Sequence, residues 1–499
     1  MKGMWYQYHN IFSLVEELQI RPNPFTEWTE SNFYLPDGLL TEGPVFQKQP
    51  RLPTMLGQAM YTFPLFKTSN AGPFDMKAVT QAVNRLQGKE EEAEDEAVST
   101  SSQVNLFDLT SMMSLLPAML AFDSDEETYE MYDEMSAREL FRRSGVTKPL
   151  YESFLKPLLL VGLFAPPSEL SAASVLETLY FYAAAHQFDF DMCWCNGTVK
   201  ETLFDPLCEY IDGKGGKILG GKAVVDVNIR DSEVTSVTAK DLDTGDLINY
   251  DADAVVFAVG INAMQKIVTA SKSLSKLEEF TKIMNLSSID CVCARIWLKD
   301  RLPVPKPANV LGNFEKECGA TFFHLNDLHH EFAPKGTGSV FQCDFYHANA
   351  IVPLSDEEIR DKCLRNLEMC LGDDRISVEN VEHFEVIRAV KAVTHFSVGS
   401  HKNRPEQKTS CRNLFISGDW VKNLDHGSKG LSQERAYISG LVAANMICDV
   451  LGQGEPAKII DTEEDEAHIA LGKWIAKQSK ETGLADVLPS NPVELFNRW

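Results

Sequence analysis

Asp419 is the side chain best placed to do chemistry. It follows Gly418 at the end of the short apolar run Leu414–Ile416. Such a run reads as a buried strand. A carboxylate at a strand's carboxyl end stands where open α/β sheets bind ligands. Gly418 lets the backbone turn tightly and approach a ligand. A polar loop follows at 422–429, with Asn423, Asp425, Gly427 and Ser428 as turn formers. From about Leu431 the pattern becomes helical. Gly430, Leu431, Ser432 and Gln433 therefore mark a helix N-terminus, where free N–H groups and the positive dipole end stabilise an anionic group such as a phosphate. Ala436, Ser439, Gly440, Ala443 and Ala444 form a small-residue stripe that lets this helix lie close to a sheet. His426 reads in two ways. It is a proton donor or substrate-orienting group, or, in preference, a loop residue bonded to backbone. Lys391 and His395 lie on a strand leading towards the same place.

Other familiar chemistries find no motif. The chain has no Gly-x-Ser-x-Gly elbow, no P-loop and no His-Glu-x-x-His. Cys193/Cys195 and Cys291/Cys293 are C-x-C pairs among 11 cysteines, and they read as buried free thiols of a reducing compartment. Zinc sites use other spacings and histidine company. His324, His329 and His330 read as surface loop residues. No metal site is expected.

The elements that must position Asp419 follow from periodicity. Ile11, Leu14, Val15 and Leu18 put a helix over 10–19. Pro36-Asp37-Gly38 is a turn, and 73–86 reads as a helix. Residues 88–102 carry Glu90, Glu91, Glu92, Glu94, Asp95 and Glu96 and read as a solvated, mobile insertion. From 104 to 187 the chain reads as mostly helical. Ser136 and Glu139 have capping-box spacing, one helix ends at Pro157, and 172–186 is apolar nearly all round. A helix over 199–210 leads into strands at 217–219, 223–229, 234–240 and 248–250, then a buried strand within 254–260. Further strands lie at 288–298, 340–346 and 381–386, with a helix over 356–371.

The 499 residues suffice for two or three domains, and 44% hydrophobic content is that of a globular protein. A net charge of −25, from 47 basic and 72 acidic residues, argues against nucleic acid as a partner. No apolar run is long enough to span a bilayer, which leaves only peripheral membrane contact through a local patch.

The run Leu414-Phe415-Ile416-Ser417-Gly418-Asp419-Trp420, followed by His426-Gly427-Ser428 and by Ser432-Gln433-Glu434-Arg435-Ala436-Tyr437-Ile438-Ser439-Gly440, resembles the carboxy-terminal FAD-binding segment of the flavin amine oxidase and carotenoid desaturase superfamily. The likeness extends in particular to plant and algal zeta-carotene-desaturase-like proteins. It implies an α/β fold with an FAD-binding Rossmann-like domain, incomplete at its amino terminus, and an inserted α+β substrate domain. The implied division is 1–190 (helical substrate part), 191–268 (FAD segment), 269–404 (substrate strands), 405–455 (carboxy-terminal FAD segment) and 456–499 (tail). It places Gly418, Asp419, Gly430, Leu431, Ser432, Gln433 and Ala436 at non-covalent FAD, with the reduced flavin's N1/C2 edge at the helix N-terminus. Val225, Ala258 and Gly260 are implied as further FAD contacts.

The family opens with strand, G-x-G-x-x-G and helix, and these are absent ahead of Gly3-Met4-Trp5-Tyr6. Three expectations compete: a true start upstream, a homologue that no longer binds FAD, or a strand supplied by another chain. The implied activity is oxidation, desaturation or isomerisation of a small apolar plastid metabolite by hydride transfer to flavin N5, with no catalytic residue singled out. Amine oxidation is the alternative.

Overall fold

The computed structural model describes residues 3–63, 106–122, 126–334 and 336–481. The helix expected at 73–86, the acidic insertion at 88–102 and the end of the tail lie outside them. The chain opens with β1 (Gly3–Trp5) and α1 (His9–Glu17). The hairpin β2 (Ser31–Leu35) and β3 (Gly38–Gly43) follows, turning at Pro36-Asp37. Helices dominate from 106 to 184. Among them are α2 (Lys156–Gly162) and α3 (Ala172–Leu179). Strand β4 (Met192–Trp194) pairs with β1. A meander of β5 (Lys222–Arg230), β6 (Glu233–Asp241) and β7 (Leu247–Asp251) precedes β8 (Val255–Phe257) and α4 (Ile261–Ala270). Then come β9 (Ser288–Leu298), β10 (Ala308–Glu315), β11 (Cys318–His324), β12 (Val340–Tyr346), α5 (Asp356–Leu371) and β13 (Val381–Thr394). The chain continues through β14 (Leu414–Ile416), α6 (Gln433–Leu451) and α7 (Ala467–Glu481).

The largest sheet has seven strands in the order β13-β9-β12-β11-β10-β2-β3. Its pairs are antiparallel except β10 with β2. Side chains alternate between its faces, as the pleat requires. One face, with Ala294, Ile296, Phe322, Cys343 and Phe345, is covered by Ile359, Cys363, Leu364 and Leu367 of α5. That helix is held at its start by a capping box between Ser355 and Glu358. At the Ser288 and Thr394 ends of β9 and β13, the sheet meets the helical region, where Ile289 and Phe396 join a core with Leu155, Leu159, Val175 and Leu176.

The second body is smaller. β14 runs parallel to β8, with Leu414 opposite Val255. Phe257, Met264, Phe280, Ile416 and Trp420 share its core with the meander. Helix α6 lies against β14 closely enough for Ser439 Oγ to take the Gly418 N–H at 2.8 Å. The small-residue stripe permits that approach.

Three expectations are corrected. The helix does not end at Pro157. The helical run from Lys148 carries a π turn at Tyr151–Leu155 directly ahead of Pro157, a local widening of the kind that lets a helix pass a proline, and the helix runs on to Gly162. Residues 217–219 form no strand. Ile218 and Leu219 are exposed, at 60% and 53%, and pair with no strand among the described residues. His324 and His329 are not surface residues. Both are buried, and their Nδ1 atoms stand against Asp327 and Glu331 respectively.

Candidate functional site

The carboxyl ends of β8 and β14 and the start of α6 converge on a cavity of about 630 Å³. Ala258, Gly260, Gly418, Asp419, Leu431, Ser432, Gln433 and Ala436 line it together. Two other expected residues stand elsewhere. Val225 occupies the register shift of β5 against β6. Gly430 turns with φ +66° and packs against Thr178 of α3. Lys391 and His395 are not in the lining either, although Ala392, Val393 and Thr394 between them are. Lys391 has φ +50°, and the pairing of β13 with β9 shifts register between Ala389 and Val393. That bulge directs Thr394 to the site, while His395 turns to Ser287.

Asp419 is partly buried and accepts a hydrogen bond from Thr394 Oγ1 at 3.0 Å. Burial pushes its carboxyl upward, and Thr394 and the nearby Arg435 and Arg404 oppose that shift. Gly418 has φ +145°, and a Cβ there would lie 2.6 Å from Trp420 Nε1. The indole N–H donates instead to the Val259 carbonyl at 3.1 Å. Trp420 therefore ties the end of β14 to the end of β8.

The loop after Asp419 is fixed by two buried guanidinium groups. Arg435 donates to the carbonyls of Asp419, Ser428 and Val421. Arg404 donates to those of Trp420 and Val421. Backbone carbonyls thus satisfy buried cations, as burial demands. His426 is likewise bonded to backbone, with Nε2 donating to Ile460 O and Nδ1 accepting from the Ser428 N–H. Burial lowers its pKa.

The N-terminus of α6 is less open than its sequence implies. Ser432 Oγ takes the Arg435 N–H. The Tyr8 hydroxyl stands against Ser432 and the Gln433 amide, and burial pushes it up to about 12. Tyr182 lies 3.4 Å from that hydroxyl. Tyr8, Thr394 and the clamping role of Arg435 were not singled out by the sequence. Tyr8 and Thr394 come from distant segments, and no local pattern marks them. The Gly-Asp-Trp run was the one available sign for Trp420.

The rest of the lining is apolar or neutral. It includes Phe33, Phe63, Met112, Phe154, Leu155 and Leu158 on the helix and hairpin side, with Trp194, Thr321, Phe323 and Tyr346 nearer the sheet. Among the described residues, Asp419 is the only acidic or basic side chain in this lining. No group of metal-ligating side chains of the kind that holds an ion occurs among the described residues. A cavity of this kind can desolvate and orient an apolar molecule beside Asp419.

Residues 3–448 match the family described as flavin containing amine oxidoreductase. The 15-cis-phytoene desaturase of Solanum lycopersicum is 24% identical over 353 residues, 67% of this chain and 55% of that protein. A probable zeta-carotene desaturase of Synechococcus elongatus is 21% identical over 350 residues, 67% of this chain and 71% of that protein. The chain thus spans little more than half the length of the tomato relative. Cyclohexylamine oxidase of Brevibacterium oxydans IH-35A matches in structure with a TM-score of 0.56 at 10% identity, covering 90% of this chain and 87% of that one. The fold is the one shared by flavin amine oxidases.

Proposed function

The chain belongs to the flavin-containing amine oxidoreductase family, and on that premise we propose that it is an FAD-dependent oxidoreductase of an apolar, unsaturated metabolite, of the desaturase or isomerase kind. The observation that carries this reading is the cavity lining, in which Asp419 is the only acidic or basic side chain among the described residues. A hydrocarbon enters such a space by shedding water from apolar surface alone. A protonated amine would have to give up its hydration for one carboxyl that burial already pushes towards the neutral form.

The residues fit a flavin. At Gly260 an added Cβ would meet nothing within 4 Å, so the backbone there stands open to the cavity. Gly418, Ala258 and Ala436 add further small residues to the lining. Gly260, Gly418, Asp419 and the Ser432–Gln433 turn would hold the cofactor. When bound, FAD supplies the hydride acceptor at N5. The protein's own part is positional. Asp419, fixed by Thr394, would accept a hydrogen bond from the cofactor side. The Trp420 bond to Val259 holds the two strand ends at constant spacing. The apolar walls exclude water and align the substrate chain. A plastid location is proposed from the chloroplastic and chromoplastic name of the tomato relative.

Anaerobic mixing of the FAD-loaded protein with phytoene or zeta-carotene in detergent micelles tests the reading. Bleaching of the flavin band by a polyene, with none by cyclohexylamine, is expected. Bleaching by the amine with peroxide release in air would establish an amine oxidase instead. Bleaching by neither would overturn the assignment.

A further inference from the structure

Helix α2 ends at Gly162, and two residues later Phe164 has φ +61°. A left-handed residue is usual after a helix end, but glycine or asparagine normally fills the position. A bulky L side chain there crowds its own backbone. The chain accepts this cost at Phe164, although the glycine that would relieve it stands two residues earlier. The ring stacks on Tyr346, with centroids 4.2 Å apart and planes inclined by 27°. His347, directly after Tyr346, is also left-handed, with φ +57°. The backbone therefore bends sharply beside both rings. The Tyr346 hydroxyl is fixed by Thr321 Oγ1 at 2.9 Å.

Both rings line the cavity, and Phe164 is only half-buried. Their place in the fold relates them to the proposed flavin. Tyr346 is in register with Cys291, and Cys291 with Ala389. Further along the same β13 strand, Thr394 reaches Asp419. The stack thus belongs to the sheet-side wall, towards the end of the sheet that meets Gly418 and Asp419. No acidic or basic side chain of the lining accompanies it there, because the only one among the described residues is Asp419 itself.

We propose that the stacked pair Phe164–Tyr346 is a π platform whose outer ring face positions the planar, conjugated part of the substrate, which continues the stack. Phe164 is a positioning residue, kept in a strained backbone because its ring is needed. This rests on the polyene reading above. Such a face favours a planar unsaturated chain, which can lie along it without a counter-charge.

The test uses the FAD-loaded 499-residue protein, zeta-carotene in detergent micelles, and the variants Phe164→Leu and Phe164→Tyr. Binding is read from quenching of tryptophan fluorescence and is independent of any redox step. Phe164→Leu keeps apolar bulk and loses the ring. It is expected to weaken binding and raise KM by about tenfold, with kcat changed by less than about threefold. Phe164→Tyr keeps the ring and should bind as the wild type does. Both variants should melt with the wild type, which separates positioning from a structural role. Equal binding by wild type and Phe164→Leu overturns the platform, as does equal weakening in both variants. A wild type that binds the polyene without flavin reduction overturns the proposed reaction and leaves the platform standing. A wild type that binds no polyene overturns both.

Discussion

Gly418 and Asp419 carry different loads. The carboxyl of Asp419 accepts a hydrogen bond from Thr394 and lines the cavity. Its replacement by alanine is expected to weaken FAD retention by about tenfold, since one hydrogen bond is worth roughly that factor. Asp419→Asn, which keeps the shape, should weaken it less. Flavin occupancy of the purified variants reads both. Valine at Gly418 is worse. Its Cβ would lie 2.6 Å from Trp420 Nε1, on a backbone with φ +145°. We expect a loss of at least about 2 kcal/mol in urea unfolding, together with loss of flavin. The strand-Gly-Asp pattern made these two residues legible. Thr394 was not, because it stands 25 residues before Asp419 and is delivered by the bulge between Ala389 and Val393, which nothing in the neighbouring residue types announces. Gly430 was legible as a turn, but its contact with Thr178 depends on packing against a helix far away in sequence.

The elements are held to one another by buried polar clasps. Glu434 at the start of α6 accepts from the Asn10 N–H, the Asn10 side chain and the Ile11 N–H, so it caps α1 across 424 positions of sequence. Asn10 in turn exchanges bonds with Ile460. The segment at 456–466 is thereby strapped to the body. Further ties run from Tyr180 to Asp465 and from His186 to the Glu464 carbonyl. Burial works against charge on His186, but Asp189 and the Glu464 carbonyl outweigh it and raise its pKa to about 9. A base whose folded pKa is raised adds stability that is complete below its unfolded value of 6.5 and is lost as pH rises through about 9. Hydrogen exchange at 456–466 should therefore quicken between those limits. His186→Ala should make exchange fast and nearly independent of pH there. Exchange in the wild type that ignores pH, beyond the intrinsic base catalysis, would contradict this. Helix α1 and the strand Ser288–Leu298 were readable from periodicity, because each buries one face. The clasps were not, since Glu434 reads equally well as a first-turn acid of its own helix.

At the scale of the molecule, the cavity exists because two bodies meet. β8, β14 and α6 supply small residues and Asp419, while the seven-stranded sheet and the helices from 106 to 184 supply apolar walls. The order of these parts along the chain was legible from the Gly-Asp segment and the meander before it. The cavity's nearly uncharged lining was not, because it is assembled from residues spread between Gly3 and Ala436. No helix of the described residues is long and apolar enough to cross a membrane. The carboxyl ends of β8 and β14, with the start of α6, are the proposed flavin site. The most direct test is the visible absorption spectrum of the 499-residue protein, purified after expression with FAD supplied. The band pair of oxidised, protein-bound flavin is expected, diminished in Asp419→Ala. A folded protein that remains colourless would contradict the proposed site.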